Sequence, residues 1–453
     1  MSDAEILAAL DRTQEFAPGD DGGTPQRQYL EIGSDVEIAE RVATDFRQEF
    51  GEVLFADGEF WRYVGTHWQP IADAIARRAV HLYDGALYQT ATGEPATARL
   101  SKGRVDSVLH EMGSMLARPD FFEGAWVGIN CASGFIAFDA AGQPSLLPLD
   151  RNHRCRHVLP GGWQAGSIDA EDPLPDSLLG RLLGGVFKGD EDEFDKRKLV
   201  SEIAGSAALG YATKLCQPKA IVLKGETAEN GKSQILDLIR GLLPVSAVAS
   251  VPAAKMGDER FIVGLRSKLL NAADELSGSA AIASDTFKAV VTGEPVSGRD
   301  VYRSMSTFRP MAQHVYATNT LPTFAGGMDR GVQRRVQVLV FNRVIPEDER
   351  IEHIGLRVGA EEPDLLLALA VAGACVGAKG IWDQERLRIF AIPAMGTRRG
   401  VPGERYPCGQ RLCAAVSGEQ GRPGNCCSAH EIGQLAHWLE DPRDRQRPRE
   451  RRH

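Results

Sequence analysis

Residues 221–233, Ile-Val-Leu-Lys-Gly-Glu-Thr-Ala-Glu-Asn-Gly-Lys-Ser, carry the spacing in this chain best suited to chemistry. A short apolar run reads as a strand, a polar turn bounded by Gly225 and Gly231 follows, and Gly231-Lys232-Ser233 open a helical pattern through Gln234 to Leu243. That is the layout of a phosphate-binding loop. Backbone N–H groups converge on an anion at a helix N-terminus, the lysine reaches the outer phosphates and the serine hydroxyl ligates Mg²⁺. The usual spacer between the glycines is four residues, and here it is five. A chance surface turn shares the Gly-Lys-Ser but lacks the flanking buried strand and amphipathic helix.

Two later segments narrow the chemistry. Residues 266–276, Arg-Ser-Lys-Leu-Leu-Asn-Ala-Ala-Asp-Glu-Leu, read as a second strand ending in Asp274-Glu275. Adjacent carboxylates at a buried strand tip are costly unless they meet a cation. In a phosphoryl-transfer site the first acid holds Mg²⁺ through its waters, and the second polarises the attacking water. Residues 314–322, His-Val-Tyr-Ala-Thr-Asn-Thr-Leu-Pro, read as a third strand with Asn319 at its end. Alone, Asn319 is a turn-former before Pro322; together with the acid pair, it is placed to sense an outer phosphate.

Taken in order, these residues resemble superfamily 3 helicases of the phage, plasmid and poxvirus primase-helicase branch. The resemblance rests on Asn230-Gly231-Lys232-Ser233, Asp274-Glu275, the run from Phe287 to Tyr302, Phe308-Arg-Pro310, Ala317-Thr-Asn319 and Asp329-Arg-Gly-Val-Gln-Arg-Arg335 before the strand Val336 to Phe341. It spans roughly residues 220–345. A weaker likeness to the family's helical N-terminal companion domain covers about 50–215, on Phe60-Trp-Arg-Tyr63 with Trp68, and on Gly128-Ile-Asn-Cys131 with Gly134-Phe-Ile-Ala-Phe138.

The resemblance implies an α/β fold: a P-loop, AAA+-like ATPase core, a mainly helical companion domain and an irregular C-terminal tail. It implies a DNA helicase that hydrolyses ATP with Mg²⁺ between subunits of a ring, a homo-hexamer, on single-stranded or forked DNA, with a separate primase or initiator as partner. Gly225, Glu229, Asn230, Gly231, Lys232, Ser233 and Gln234 would hold the nucleotide. Ser233 and Asp274 would serve the metal, Glu275 the water, and Asn319 the γ-phosphate. Arg334 or Arg335 would reach the neighbour's site. The segment Thr292 to Tyr302 would form a channel hairpin, with Lys288, Arg299 and Arg303 gripping DNA phosphates. Each of these cations could equally be a solvated surface charge, and Trp61 and Trp68 read as core rather than base-stacking platforms.

The chain departs from the family pattern at Thr227-Ala228-Glu229, where an extra glycine is usual before the asparagine. Losing it narrows the backbone angles available where N–H groups must converge. The family's primase polymerase domain lies N-terminal to these motifs. Only about 50 residues precede the companion region here, against the ~100 of a domain, so no priming activity is expected.

The 453 residues suit two or three domains, and 43% hydrophobic with 25% charged residues is ordinary for a globular protein. The longest apolar stretch, Leu365 to Ala378, falls short of the ~20 residues that span a bilayer. Met-Ser-Asp-Ala-Glu opens the sequence without a basic, apolar leader, so a cytoplasmic protein without membrane contact is expected. A net charge of −9 excludes a general cationic coat for nucleic acid. Residues 285–343 nevertheless carry eight Lys/Arg against four Asp/Glu, and a ring motor needs positive charge only along its channel.

Residues 1–35 read as a flexible lead-in, 36–215 as the companion domain, 216–345 as the ATPase core and 346–379 as a helical extension with a helix over Glu361 to Val376. Within 36–215, helices are expected at Val36 to Phe50, Ala72 to Tyr88, Leu100 to Leu116, Asp176 to Leu183 and Asp190 to Ala212. A hairpin turns on Asp57-Gly58, and strands run near 126–138. After Lys379 lysine disappears while 13 arginines appear. Residues 380–453 are either a basic tail touching DNA phosphates or the product of a reading-frame slip. Cys408, Cys413, Cys426, Cys427 and His430 offer enough zinc ligands, although their spacing fits no familiar pattern. Two rival functions stay open: a non-helicase P-loop enzyme such as a small-molecule kinase, and a non-catalytic DNA-binding remnant of a mobile element.

Overall fold

The computed structural model describes residues 29–139, 141–164, 176–215, 217–274, 281–299 and 305–380. Glu275, Arg303 and the tail cysteines with His430 lie outside the described residues. The described residues all belong to one compact unit.

Its first part mixes helices with small antiparallel sheets. Helix α1 (Asp35–Phe50) starts at Ser34, whose hydroxyl accepts from the Glu37 N–H at 3.1 Å, and buries Ile38, Val42 and Phe46. Strands β1 (Val53–Ala56), β2 (Glu59–Tyr63) and β3 (Trp68–Pro70) form one sheet. The β1–β2 turn has Asp57 at φ 52° and Gly58 at φ 81°, the paired positive angles a tight hairpin needs. Trp61 and Trp68 are buried core residues, packed edge-on to Phe122 and Phe121.

Helix α2 (Asp73–His81) is shorter than the pattern 72–88 predicts. The apolar spacing continues through Tyr83 and Ala86, which face the same core. Gly85, at φ 79°, turns the backbone into the hairpin of β4 (Leu87–Gln89) and β5 (Pro95–Thr97). Helix α3 (Lys102–Met115) packs on α1, and β6 (Gly128–Cys131), β7 (Gly134–Phe138) and β8 (Pro144–Leu147) make the next sheet. Helices α4 (Leu178–Val186) and α5 (Glu193–Leu209) follow.

The second part is a mixed α/β layer around a five-stranded parallel sheet. In sequence its strands and helices are β9 (Ala220–Lys224), α6 (Lys232–Gly241), β10 (Val248–Ala249), α7 (Glu259–Ile262), β11 (Leu270–Ala273), α8 (Ser284–Val291), the hairpin β12 (Val296–Gly298) and β13 (Ser306–Phe308), β14 (Gln313–Thr318), α9 (Arg330–Gln333) and β15 (Val336–Val340). The sheet order is β10-β11-β14-β9-β15. Alternate residues serve two cores. Ile221, Leu223, Val315 and Ala317 join the cluster under α4, α5 and α6, while Ala220, Ala273 and Tyr316 join the cluster under α8. Burial on both faces is what parallel strands require, and each such Leu, Ile or Val contributes roughly 1.5–3 kcal/mol.

Several boundaries differ from the sequence pattern. The second strand begins at Leu270 rather than Arg266, because Ser267 turns the chain at φ 59°. The hairpin strands lie at 296–298 and 306–308, further along than Thr292 to Tyr302. Among the described residues beyond Ile345 there are two α-helices, α10 (Ile354–Glu361) and α11 (Pro363–Gly380), where the pattern predicts one.

Both of these helices dock at backbone distance. A Cβ on Gly355 or Gly359 would run into Gln234 or Gly241 of α6, and one on Gly373 would run into the Ser201 carbonyl of α5. The Ser201 hydroxyl donates to the Leu369 carbonyl at 2.8 Å, closing the α5–α11 crossing.

Candidate functional site

The sheet's C-terminal ends meet one cleft. Strand β9 delivers the loop 225–231, β11 delivers Asp274, β14 delivers Asn319, and β15 runs into the segment 345–354. Later strands lie on both sides of β9, so its C-terminal end is the switch point at which open α/β sheets bind ligands. The cleft measures about 1430 Å³, and its floor includes residues 227–234, Asp274, Thr318 and Asn319.

Lys232 is the first residue of α6, preceded by Gly231 at φ 84°. Its ammonium donates to the Gly225 carbonyl at 3.0 Å, to Asn230 Oδ1 at 3.1 Å and to the Thr227 carbonyl at 3.4 Å. The side chain is buried, and burial pulls its pKa below the ordinary lysine range. No carboxylate among the described residues pairs with it. A buried cation held only by neutral oxygens is an incomplete charge site that a polyphosphate would complete. Gly225 is required for this arrangement, because a Cβ there would collide with the Asn230 amide and sit 3.0 Å from the Lys232 ammonium.

The five-residue spacer is accommodated by Glu229, which takes a left-handed φ of 62°. For a residue with a Cβ this costs about 1–2 kcal/mol. The position is tied down twice: Ile345 N–H donates to the Glu229 carbonyl at 2.9 Å, and Arg350 Nη2 donates to its carboxylate at 2.6 Å. Arg350 Nε also donates to the Ile345 carbonyl at 2.8 Å, making a strap across the loop.

Ser233 is exposed at the cleft floor, as is Asn319. Together with the half-exposed Asp274 carboxylate they supply the hard oxygen donors that suit Mg²⁺. Gln234 lines the cleft, and its Oε1 accepts from the Gly355 N–H at 3.0 Å, helping to dock α10. Asp274 Oδ2 accepts from both terminal nitrogens of Arg240, each at 3.1 Å.

The other described candidates, Arg334, Arg335, Lys288 and Arg299, do not line the cleft. Arg334 is exposed, and among the described residues its guanidinium has no partner. Arg335 folds back, donating to the Gly331 carbonyl at 2.9 Å. Lys288 is clamped between Asp285 at 2.9 Å and Asp329 at 3.3 Å, which raises its pKa. Arg299 sits at the described edge of the hairpin, its N–H donating to the Glu259 carbonyl at 3.0 Å.

Sequence reasoning missed the walls of the cleft: Gly184, Gly185 and Val186 at the end of α4, and Ile345 to Ile354 opposite. It also missed Arg240 and Arg350, whose sequence neighbourhoods are those of ordinary surface cations. A Cβ on Gly231 would strike Val186 and crowd Ile345. The glycine is therefore needed for close packing as well as for its φ.

Residues 223–335 match a family of unknown function (DUF5906). No curated protein matches the sequence. Among solved structures, the chain is similar to the apo NrS-1 C-terminal region at 13% identity, covering 78% of this chain and 74% of that one with a TM-score of 0.41. A second NrS-1 C-terminal structure (305–718) matches at 14% identity, 79% and 72% coverage and a TM-score of 0.41. JCV helicase matches at 12% identity, 50% and 61% coverage and a TM-score of 0.28. Among the described residues no helix is long and apolar enough to cross a membrane.

Proposed function

We propose that this chain is an ATP-hydrolysing DNA helicase of the superfamily 3 type, with a P-loop, AAA+-like core, working as a ring in phage- or plasmid-type replication. The observation that carries this reading is the buried Lys232 ammonium without a counter-carboxylate, in one cleft with Ser233, Asp274 and Asn319. Lys232 and the N–H groups at the start of α6 hold the phosphates. The Ser233 hydroxyl and the Asp274 carboxylate are the residues that would hold Mg²⁺, which supplies charge neutralisation of the transferring phosphoryl group. Glu275 accepts a proton from the attacking water, and Asn319 orients that water against the γ-phosphate.

Of the two arginines, Arg334, exposed and without a partner among the described residues, is the better candidate to reach a neighbouring subunit's nucleotide, and Arg335 holds its turn in place. Fingers of this kind are worth ~10³–10⁵ in rate in GTPases. Single-stranded DNA is gripped by the hairpin region, with Arg299 and Arg303 as the contacting cations and Lys288 bracing the helix beneath.

ATP turnover measured with and without single-stranded DNA tests the reading. Lys232→Ala should remove nucleotide binding, and Glu275→Gln should keep binding while stopping turnover. Turnover by Glu275→Gln at the wild-type rate would remove that residue from its role. A protein that binds ATP without turning it over, with or without DNA, would instead be the non-catalytic alternative.

A further inference from the structure

We infer that Arg240, on the helix that begins with Lys232, is the positioning residue for Asp274; the inference rests on the nucleotide-hydrolysing reading of this cleft. Arg240 lies in the last turn of α6, and its side chain reaches the tip of β11. Its guanidinium is held at three places. Nη1 donates to Asp237 Oδ1, one turn earlier on the same helix, at 3.1 Å. Nη2 donates to the Ala272 carbonyl of β11 at 3.0 Å. Both nitrogens donate to Asp274 Oδ2 at 3.1 Å.

A planar, delocalised cation fixed by a helix carboxylate and a strand carbonyl has little freedom left, so it fixes whatever else it binds. Arg240 and Asp237 are each about three-quarters buried, whereas the Asp274 side chain is 52% exposed. The carboxylate is therefore divided. Oδ2 takes both bonds from the guanidinium, Oδ1 takes none among the described residues, and the residue lines the cleft.

That division suits an acid that must present one oxygen to a metal's water shell. Asp274 sits at the end of a strand with only its own χ angles to aim it, and the guanidinium removes that freedom. It also makes α6 serve the site twice. The first turn supplies Lys232 to the phosphates and Ser233 to the metal, and the last turn aims the second metal-side residue, Asp274. Arg240 touches neither nucleotide nor water in this assignment.

Arg240→Ala, Arg240→Gln and Arg240→Lys in the full chain test it, with kcat and KM for ATP, nucleotide affinity by a fluorescent ATP analogue in EDTA, and thermal midpoint. The expected result is a kcat lowered about tenfold or more in the Ala and Gln variants. KM and metal-free affinity should stay within about twofold, and Lys, which restores the charge with fewer directed donors, should recover part of the rate. Wild-type kcat in the Ala and Gln variants overturns the inference. So does a uniform loss in all three variants accompanied by a lowered thermal midpoint, which assigns Arg240 to fold stability alone. If the wild-type chain shows no turnover at all, it is the hydrolytic reading that fails, and the variants are not needed to see it.

Discussion

The cleft and the surroundings of helix α8 are two regions of the α/β part with different kinds of contact. Around the cleft, contacts are backbone-to-backbone or buried: α10 on α6 through Gly355, Gly359 and Gly241, α11 on α5 through Gly373, and Lys232 inside its loop. At helix α8, by contrast, Lys288 makes ion pairs with the exposed Asp285 and Asp329. The contrast teaches that the same residue type needs opposite readings in the two places. A buried lysine without a carboxylate partner has room for an anion as counter-charge, whereas a lysine between two aspartates already has one.

Breaking a backbone contact should give the largest effect. Gly373→Leu forces a side chain into the Ser201 carbonyl of α5, and should cost about 3 kcal/mol or more in a denaturant titration. A normal midpoint would show that α11 can move off α5 freely.

Acid should separate the two regions next. His314 is fully buried in β14, its Nδ1 facing the Asn271 amide at 3.2 Å, and burial pulls its pKa from 6.5 to about 4. The unfolded chain therefore binds the extra proton first, so stability is full above pH 6.5 and falls as pH drops towards 4. The loss reaches up to about 3 kcal/mol. The Asp329 carboxyl is held below its ordinary range, chiefly by the Val332 N–H, so its pair with Lys288 should persist over that interval. Urea midpoints at several pH values, for wild type and His314→Gln, would check this, and the variant should show the shallower dependence.

A smaller effect is expected at the strained loop. Glu229→Gly removes the left-handed penalty of about 1–2 kcal/mol, and loses an exposed pair to Arg350 worth at most ~1 kcal/mol. Stability should rise slightly or stay level, and ATP affinity should not fall. A clear loss of affinity in calorimetry would give Glu229 a direct part in holding nucleotide.

Least of all should change in Lys288→Ala. With its charge already matched by two carboxylates, the log–log slope of single-strand affinity against salt should move by much less than the ~0.7 of one phosphate contact. A flattening of about 0.7 would place Lys288 on the DNA.

Much of this architecture was legible in the sequence, for physical reasons that also mark the limits. The strand ends at Lys224, Ala273 and Thr318 could be read because buried parallel strands are continuous apolar runs broken by the polar residues they deliver. The turn at Asp57-Gly58 could be read because few residues accept its angles. Helix α2 was overread because Tyr83 and Ala86 keep the helical spacing after the backbone has turned at Gly85. Arg240 and Arg350 were invisible because a guanidinium's partner, Asp274 or Glu229, lies 34 or 121 residues away, and no local pattern encodes such a pairing. The cleft walls were missed because Gly184-Gly185 and Ile345 matter by shape rather than by chemistry.

The crossing of α10 on α6 has a mechanical consequence. Where side chains interdigitate, helices can slide by changing rotamers, but Gly355 lies against the Gln234 main chain and Gly359 against that of Gly241, and main chain has no rotamers to give. The two helices therefore behave as a single stiff spine with Lys232 at one tip. Any rearrangement in the cleft therefore falls to the loop 225–231 and its strap, while a load on α10 is passed to Lys232 undamped.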